Sequence, residues 1–316
     1  MSSSRSVVLV TGSYDQEIRF WEAWSGATAR IISKTSGEVG QVNRLAISPD
    51  KRFLAAAMYK KIKIYDVNSS SNTPLLTFEG HSNNVTALQF QNQGKWLVSG
   101  SEDQTIRVWD MRTRSLHRTF DNEAPVNDVC IYPNQGELVS ADQNGSVKLW
   151  DLNGGKQCIL ELSPGGEVAI RSVGIASDGT FLIAANNKGK VFVWRINDDD
   201  ESELPRFQAV TRISAHQTYI TRAVISPDVK FLATCSADTT CKIWAITPTL
   251  DFKHHRNLVG HQRWVWDCAW STDSAYLVTA SSDHVARLWE VASGQSVREY
   301  HGHSKACVCC ALADHT

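Results

Sequence analysis

Histidine, a hydroxyl residue and aspartate recur together along this chain at fixed spacing. His81 stands 22 residues before Asp103, His216 22 before Asp238, and His261 22 before Asp283. In each set a Ser or Thr lies four residues before the Asp (Ser99, Thr234, Thr279) and a Trp six after it (Trp109, Trp244, Trp289). Thr11, Asp15 and Trp21 repeat the later part of the pattern near the N-terminus, with His303 at the far end of the chain as their histidine. Hydroxyl, imidazole and carboxylate are the parts of a nucleophilic hydrolase, which also needs a substrate pocket and a facing oxyanion hole. An active site is not normally built in four copies, each carrying an indole. The pattern reads better as a buried network in which His bridges hydroxyl and carboxylate and the indole N–H reaches the hydroxyl. No catalytic residue is assigned. No Gly-rich phosphate loop or unrepeated acid–base pair stands elsewhere.

The eight cysteines offer a second chemistry. Cys130, Cys235 and Cys268 lie in apolar strand contexts, where a thiol behaves as a small hydrophobe. The run CVCC, with Cys307, Cys309 and Cys310, is denser, but no second CxxC and no HxxxH accompanies it. It reads as strand packing, and neither a metal nor a cofactor is expected.

Strand, polar turn and strand must position the recurring residues. SGSEDQTIRVWD at 99–110 shows the unit most clearly. TGSYDQEIRFWE, SADQNGSVKLWD, CSADTTCKIWA and ASSDHVARLWE repeat it, and YKKIKIYD and NNKGKVFVWR are weaker copies. The closing aromatics Trp21, Tyr65, Trp109, Trp150, Trp194, Trp244 and Trp289 are spaced by 44, 44, 41, 44, 50 and 45 residues. A period in the forties with this content is the mark of a β-propeller, one blade per repeat. The prediction is all-β: a single seven-bladed propeller over 1–316. Blades two to seven run 42–79, 85–120, 126–161, 169–213, 220–259 and 265–300.

Residues 7–33 supply only three strands, one short of a blade, which would leave an edge exposed. The missing inner strand is predicted at 306–313, ACVCCALA, so that blade one combines 7–33 with 306–313 and the two ends of the chain close the ring. Three blades depart from the network. Blade two has Ala55, Tyr59 and Tyr65 in the equivalent places. Blade four keeps Ser140 and Trp150, with Asn144 for the Asp and no His. Blade five has Ala184 and Lys188. These blades are expected to rely more on apolar packing. The long spacing after blade five comes from NDDDESELP at 197–205, an acidic surface loop whose sharper reading is a docking or Ser202 phosphorylation segment.

Net charge is −1, which excludes a bulk field for nucleic acid or anionic membrane. The N-terminal apolar run is too short for a signal peptide and no stretch approaches a membrane span. A cytoplasmic, monomeric propeller is expected. Its partner site is sought beside the apolar residue that opens each inner strand, because flanking side chains point the other way. Most of these neighbours are small or polar. Trp264 and Trp266 stand out, with Arg263 beside them and Tyr219 one blade away, and exposed Trp and Tyr beside Arg dominate interface energetics. Gln41, Asn43 and Asn84 complete the expected partner-binding surround.

The unit GH…SGSEDQTIRVWD is identified as a WD40 repeat, over essentially the whole chain. FWEAWSG at 20–26, YPNQGEL at 132–138, LATCSADTTCKIW at 232–244, WVWDCAWS at 264–271 and VTASSDHVARLWEVASGQSVREYHGH at 278–303 resemble the small WD40 subunit shared by the target-of-rapamycin kinase complexes, also called the G-protein-β-like subunit. The resemblance implies a non-catalytic scaffold that binds the kinase domain, supports its active conformation and through it meets the other subunits. It also implies a peripheral association with endomembranes through the complex. The alternative is another WD40 adaptor, such as a ubiquitin-ligase substrate receptor or a chromatin reader. Those usually add a recruitment segment or a conspicuous acidic or aromatic central pocket.

Overall fold

The computed structural model of the chain describes residues 7–33, 40–155, 157–197 and 205–314. Among them, 28 strands form seven four-stranded antiparallel sheets. The innermost strands are Val42–Ile47, Val85–Phe90, Val126–Ile131, Ile170–Ile175, Ile220–Ile225, Val265–Trp270 and Cys307–Ala313, and each touches the next around a central channel. The acidic residues 198–204, with Ser202, lie outside the described residues. At the base of that loop the Asn197 amide donates to the Pro205 carbonyl at 2.9 Å.

Cys307–Ala313 pairs with Val8–Ser13, aligning Val8 with Ala313 and Thr11 with Cys310. The first blade is therefore built from both ends of the chain. The Tyr300 hydroxyl, donated to the Ala23 carbonyl at 2.5 Å, adds a tie from blade seven to blade one. Closure leaves no inner edge open, so every blade has two covered faces.

Seven apolar clusters fill the seven seams between neighbouring blades. The second strand of each blade is sandwiched on both sides, which explains its near-continuous burial, as in Phe181–Asn186. Outer strands contact less, and Ser296–Tyr300 buries only Tyr300. Near the axis the wedge narrows and small residues are required: Ala55, Ala56 and Ala57 are fully buried. Gly12 shows how tight the fit is. A Cβ there would lie 2.5 Å from Val42 Cγ1 and 2.6 Å from Cys309 Sγ.

In the six inner strands from Val42–Ile47 to Val265–Trp270, the register shifts after the first residue. Such a bulge breaks the two-residue alternation and re-aims the side chains that follow. Simple alternation would return Arg44, Asp128, Arg222 and Asp267 to the apolar face. The bulge turns them toward the channel instead.

Candidate functional site

The four hydroxyl–imidazole–carboxylate sets occupy the interiors of blades one, three, six and seven. His81 Nδ1 lies 2.8 Å from Asp103, its Nε2 lies 2.8 Å from Ser99 Oγ, and Trp109 donates its indole N–H to the same hydroxyl at 2.8 Å. His216 joins Asp238 at 2.7 Å and Thr234 at 2.9 Å, with Trp244 donating at 3.1 Å. His261, Asp283, Thr279 and Trp289 repeat this at 2.8 Å throughout. His303 crosses the ring closure to Asp15 at 3.0 Å and Thr11 at 2.8 Å, and Trp21 donates to Thr11 at 2.8 Å.

The four hydroxyls are fully buried, and each is capped by an indole N–H. That geometry leaves no approach for a substrate to a would-be nucleophile. Each Asp also organises the turn that carries it: Asp103 accepts from the Thr105 N–H at 3.0 Å and the Ser82 N–H at 2.9 Å. Burial acts to raise these carboxyls. Hydrogen bonds from the histidines and backbone overcome it, holding Asp15, Asp103 and Asp283 well below the usual carboxylate range and Asp238 at about 2. Asp15, Glu17 and His303 come together as three potential metal ligands, but both His303 ring nitrogens are already engaged and Glu17 holds Arg19 at 2.8 Å.

Blade four corrects the expectation of mainly apolar packing there. Asn144 is exposed at the turn, and the buried carboxylate is Asp142, which accepts from the Asn122 amide at 3.2 Å and the Ser146 N–H at 2.9 Å. Trp150 still donates to Ser140 at 2.8 Å. Asp142 sits two residues before the position that the repeat pattern singles out, so the pattern misses it.

Burial raises the Cys307, Cys309 and Cys310 thiols above their ordinary values. Cys235 faces Cys241 across two strands, and Cys268 joins the same buried cluster from the next blade. Cys130 is half-buried, its thiol pushed up to about 11 by desolvation.

One mouth of the channel opens into a cavity of about 470 Å³. Gln41, Asn43, Asn84, Tyr219, Trp264 and Trp266 all line it, whereas Arg263 is exposed but stands outside the lining. Tyr219 is 45 % exposed and Trp264 40 %, and their rings meet edge to face with centroids 5.8 Å apart. Trp266 corrects the expectation that it would be as free as its neighbour. It packs against the blade one–two core, its ring 5.4 Å from Trp264, and its N–H is donated to Ser282 Oγ at 2.5 Å. Trp266 backs the wall and Trp264 presents its surface.

In four blades the residue just after the opening apolar residue has a further role. Asn43 donates to the Val85 carbonyl at 3.2 Å, Thr86 to Val126 at 2.6 Å, Asn127 to Ile170 at 2.7 Å and Thr221 to Val265 at 2.5 Å. Each clips its blade to the next. Asn84 donates to the Glu102 carboxylate at 2.8 Å. The two asparagines predicted to meet a partner therefore also hold the rim together.

Beneath the rim lies a charged cluster that the sequence reading did not single out. Arg44 reaches Asp267 at 3.3 Å and Asp128 at 3.4 Å from across the channel; Arg222 pairs with Asp128 and lies 3.4 Å from Asp267. Asp128 also accepts from Ser172 Oγ at 3.0 Å and the Val173 N–H at 3.1 Å, and Asp267 from the Cys310 N–H at 3.1 Å. Burial acts to lower the Arg222 guanidinium, and Asp128 and Asp267 carry it above its ordinary value. Side chains from blades two, four, five, six and seven thus meet at one plug. A charged residue at an apparent core position of an inner strand was the available signal.

The family described as "IFT122 first beta-propeller" matches residues 41–315. The "Target of rapamycin complex subunit wat1" of Schizosaccharomyces pombe is 57 % identical over 310 residues, covering 98 % of this chain and 96 % of that protein. The "Target of rapamycin complex subunit LST8" of Saccharomyces cerevisiae is 50 % identical over 310 residues, 98 % and 99 % of the two chains. Its namesake in Bos taurus is 42 % identical over 318 residues, 98 % and 96 % of the two.

Proposed function

Since this chain belongs to the WD40-propeller family of target-of-rapamycin complex subunits typified by LST8 and wat1, we propose that it is a non-catalytic scaffold that docks on the kinase domain of such a complex. The observation that carries the reading is the cavity rim, where Trp264 and Tyr219 expose a joined aromatic surface above a rigid, ion-paired floor. Exposed aromatics on a preorganised support supply contact area at little entropic cost. The sealed hydroxyl–imidazole sets favour a scaffold over an enzyme. Any effect on phosphorylation then comes from holding kinase elements in their active arrangement, within growth and nutrient signalling. The proposed place of work is the cytoplasm, with endomembranes reached only through the complex.

Affinity purification from the native cell with mass spectrometry tests the reading. Wild-type chain is expected to recover a target-of-rapamycin kinase, and Trp264→Ala to lose it by about 2–4 kcal/mol of binding, with its melting temperature kept. Undiminished kinase recovery by Trp264→Ala overturns the rim assignment. Recovery of a cullin adaptor in place of the kinase favours the substrate-receptor alternative.

A further inference from the structure

The register position that clips blade to blade in four blades holds Arg171 in blade five. Its Nε donates to Asn187 Oδ1 at 2.9 Å, which fixes the plane of the guanidinium. Among the described residues no further hydrogen bond or ion pair engages Arg171, so both Nη groups remain open donors. Arg171 lines the same cavity as Tyr219 and Trp264.

The two other arginines facing that cavity are already matched. Arg44 and Arg222 share Asp128 and Asp267 in the floor. Glu102, the carboxylate in the wall, accepts from the neutral Asn84 amide at 2.8 Å and favours the charged Arg171 through space, with no hydrogen bond or ion pair to it. The cavity therefore presents one guanidinium with both Nη groups open, oriented by a neighbouring amide and set beside the exposed aromatic surface. A planar fork with two free donors fits a carboxylate in bidentate fashion, and such charge-assisted bonds are strong and directional.

We propose that Arg171 receives the carboxylate of an Asp or Glu side chain on the partner's docking segment, while the apolar part of that segment lies on Tyr219 and Trp264. The inference rests on the proposed docking through this rim and adds the chemistry of the occupant. It makes the rim selective, because a segment with an apolar or basic side chain at that point leaves Arg171 unpaired in a closed interface.

The test measures binding of the intact chain to purified target-of-rapamycin kinase across a range of salt concentrations. Arg171→Gln is expected to weaken binding about ten- to a hundredfold and to flatten its salt dependence. Arg171→Lys should restore part of the loss, and Arg171→Glu should lose most. Reversal of the interacting acidic residue of the kinase to Arg should rescue Arg171→Glu. Melting temperatures within a degree or two of wild type exclude a folding effect. If Trp264→Ala abolishes binding while Arg171→Gln binds as wild type, docking through the rim stands and the carboxylate inference falls. If both variants bind as wild type, the rim reading falls with it. Loss of binding on phosphatase treatment of the kinase, with no acidic residue able to rescue Arg171→Glu, overturns the carboxylate in favour of a phosphate.

Discussion

The blade interiors and the cavity rim use similar chemistry to opposite ends. Around Ser99, the imidazole, carboxylate, hydroxyl and indole N–H each have a partner within 2.8 Å, and the hydroxyl is fully buried. Around Trp264 and Arg171, ring surface and guanidinium N–H groups are held in place but left uncovered. Saturation makes a set structural; orientation without saturation makes a surface ready for a partner. The residue types alone do not separate the two cases, since His, Ser and Asp have the greater catalytic reputation and here are sealed.

The severest test of that contrast is removal of residues 307–316. It deletes the inner strand of blade one and exposes the edge of Val8–Ser13, and cooperative unfolding should disappear in a thermal melt. A truncated chain with wild-type melting behaviour would contradict closure through the two ends. Next comes the plug. Asp128→Ala leaves Arg222 and Arg44 buried with only Asp267 and should cost about 3–5 kcal/mol by chemical denaturation.

A smaller effect is expected inside a blade. His81→Ala or Asp103→Ala leaves buried partners unsatisfied and should cost about 1–3 kcal/mol of stability. In contrast to Trp264→Ala, such variants should retain partner affinity at temperatures where they remain folded; lost affinity in a folded His81→Ala protein would break the distinction. The smallest effect is in acid. The depressed carboxyls of Asp15, Asp103, Asp238 and Asp283 have folded values below the ordinary unfolded value of about 4. Their contribution is fully present above that value and is lost as pH falls toward and below 2. Melting temperature should therefore decline from about pH 4 downward, and less steeply in Asp103→Asn than in wild type.

Much of this was legible in the chain. The seven-blade count follows from the spacing of Trp21 to Trp289, because one repeat makes one blade and a ring needs no further information. The four networks were readable because Ser99, Asp103 and Trp109 are joined by one short turn and His81 enters from the loop before the same blade. Even His303 could be assigned, since ring closure offers one place for an inner strand. The aromatic rim was readable from Trp264 and Tyr219 as departures from the repeat. The half-burial of Trp266 was not, because the bulge after Val265 changes which way it faces.

Sequence by itself determined the repeat, the closure and the contents of each blade, all set by interactions within one period or between the two ends. Tertiary structure alone decided what meets across the axis. Arg44, Asp128, Arg222 and Asp267 come from four different repeats, and no local spacing links them. They meet because six bulged strands turn their third residues inward around one channel. Arg171 belongs to the same category: only the folded ring shows that Asn187 orients it and that no carboxylate among the described residues bonds directly to it.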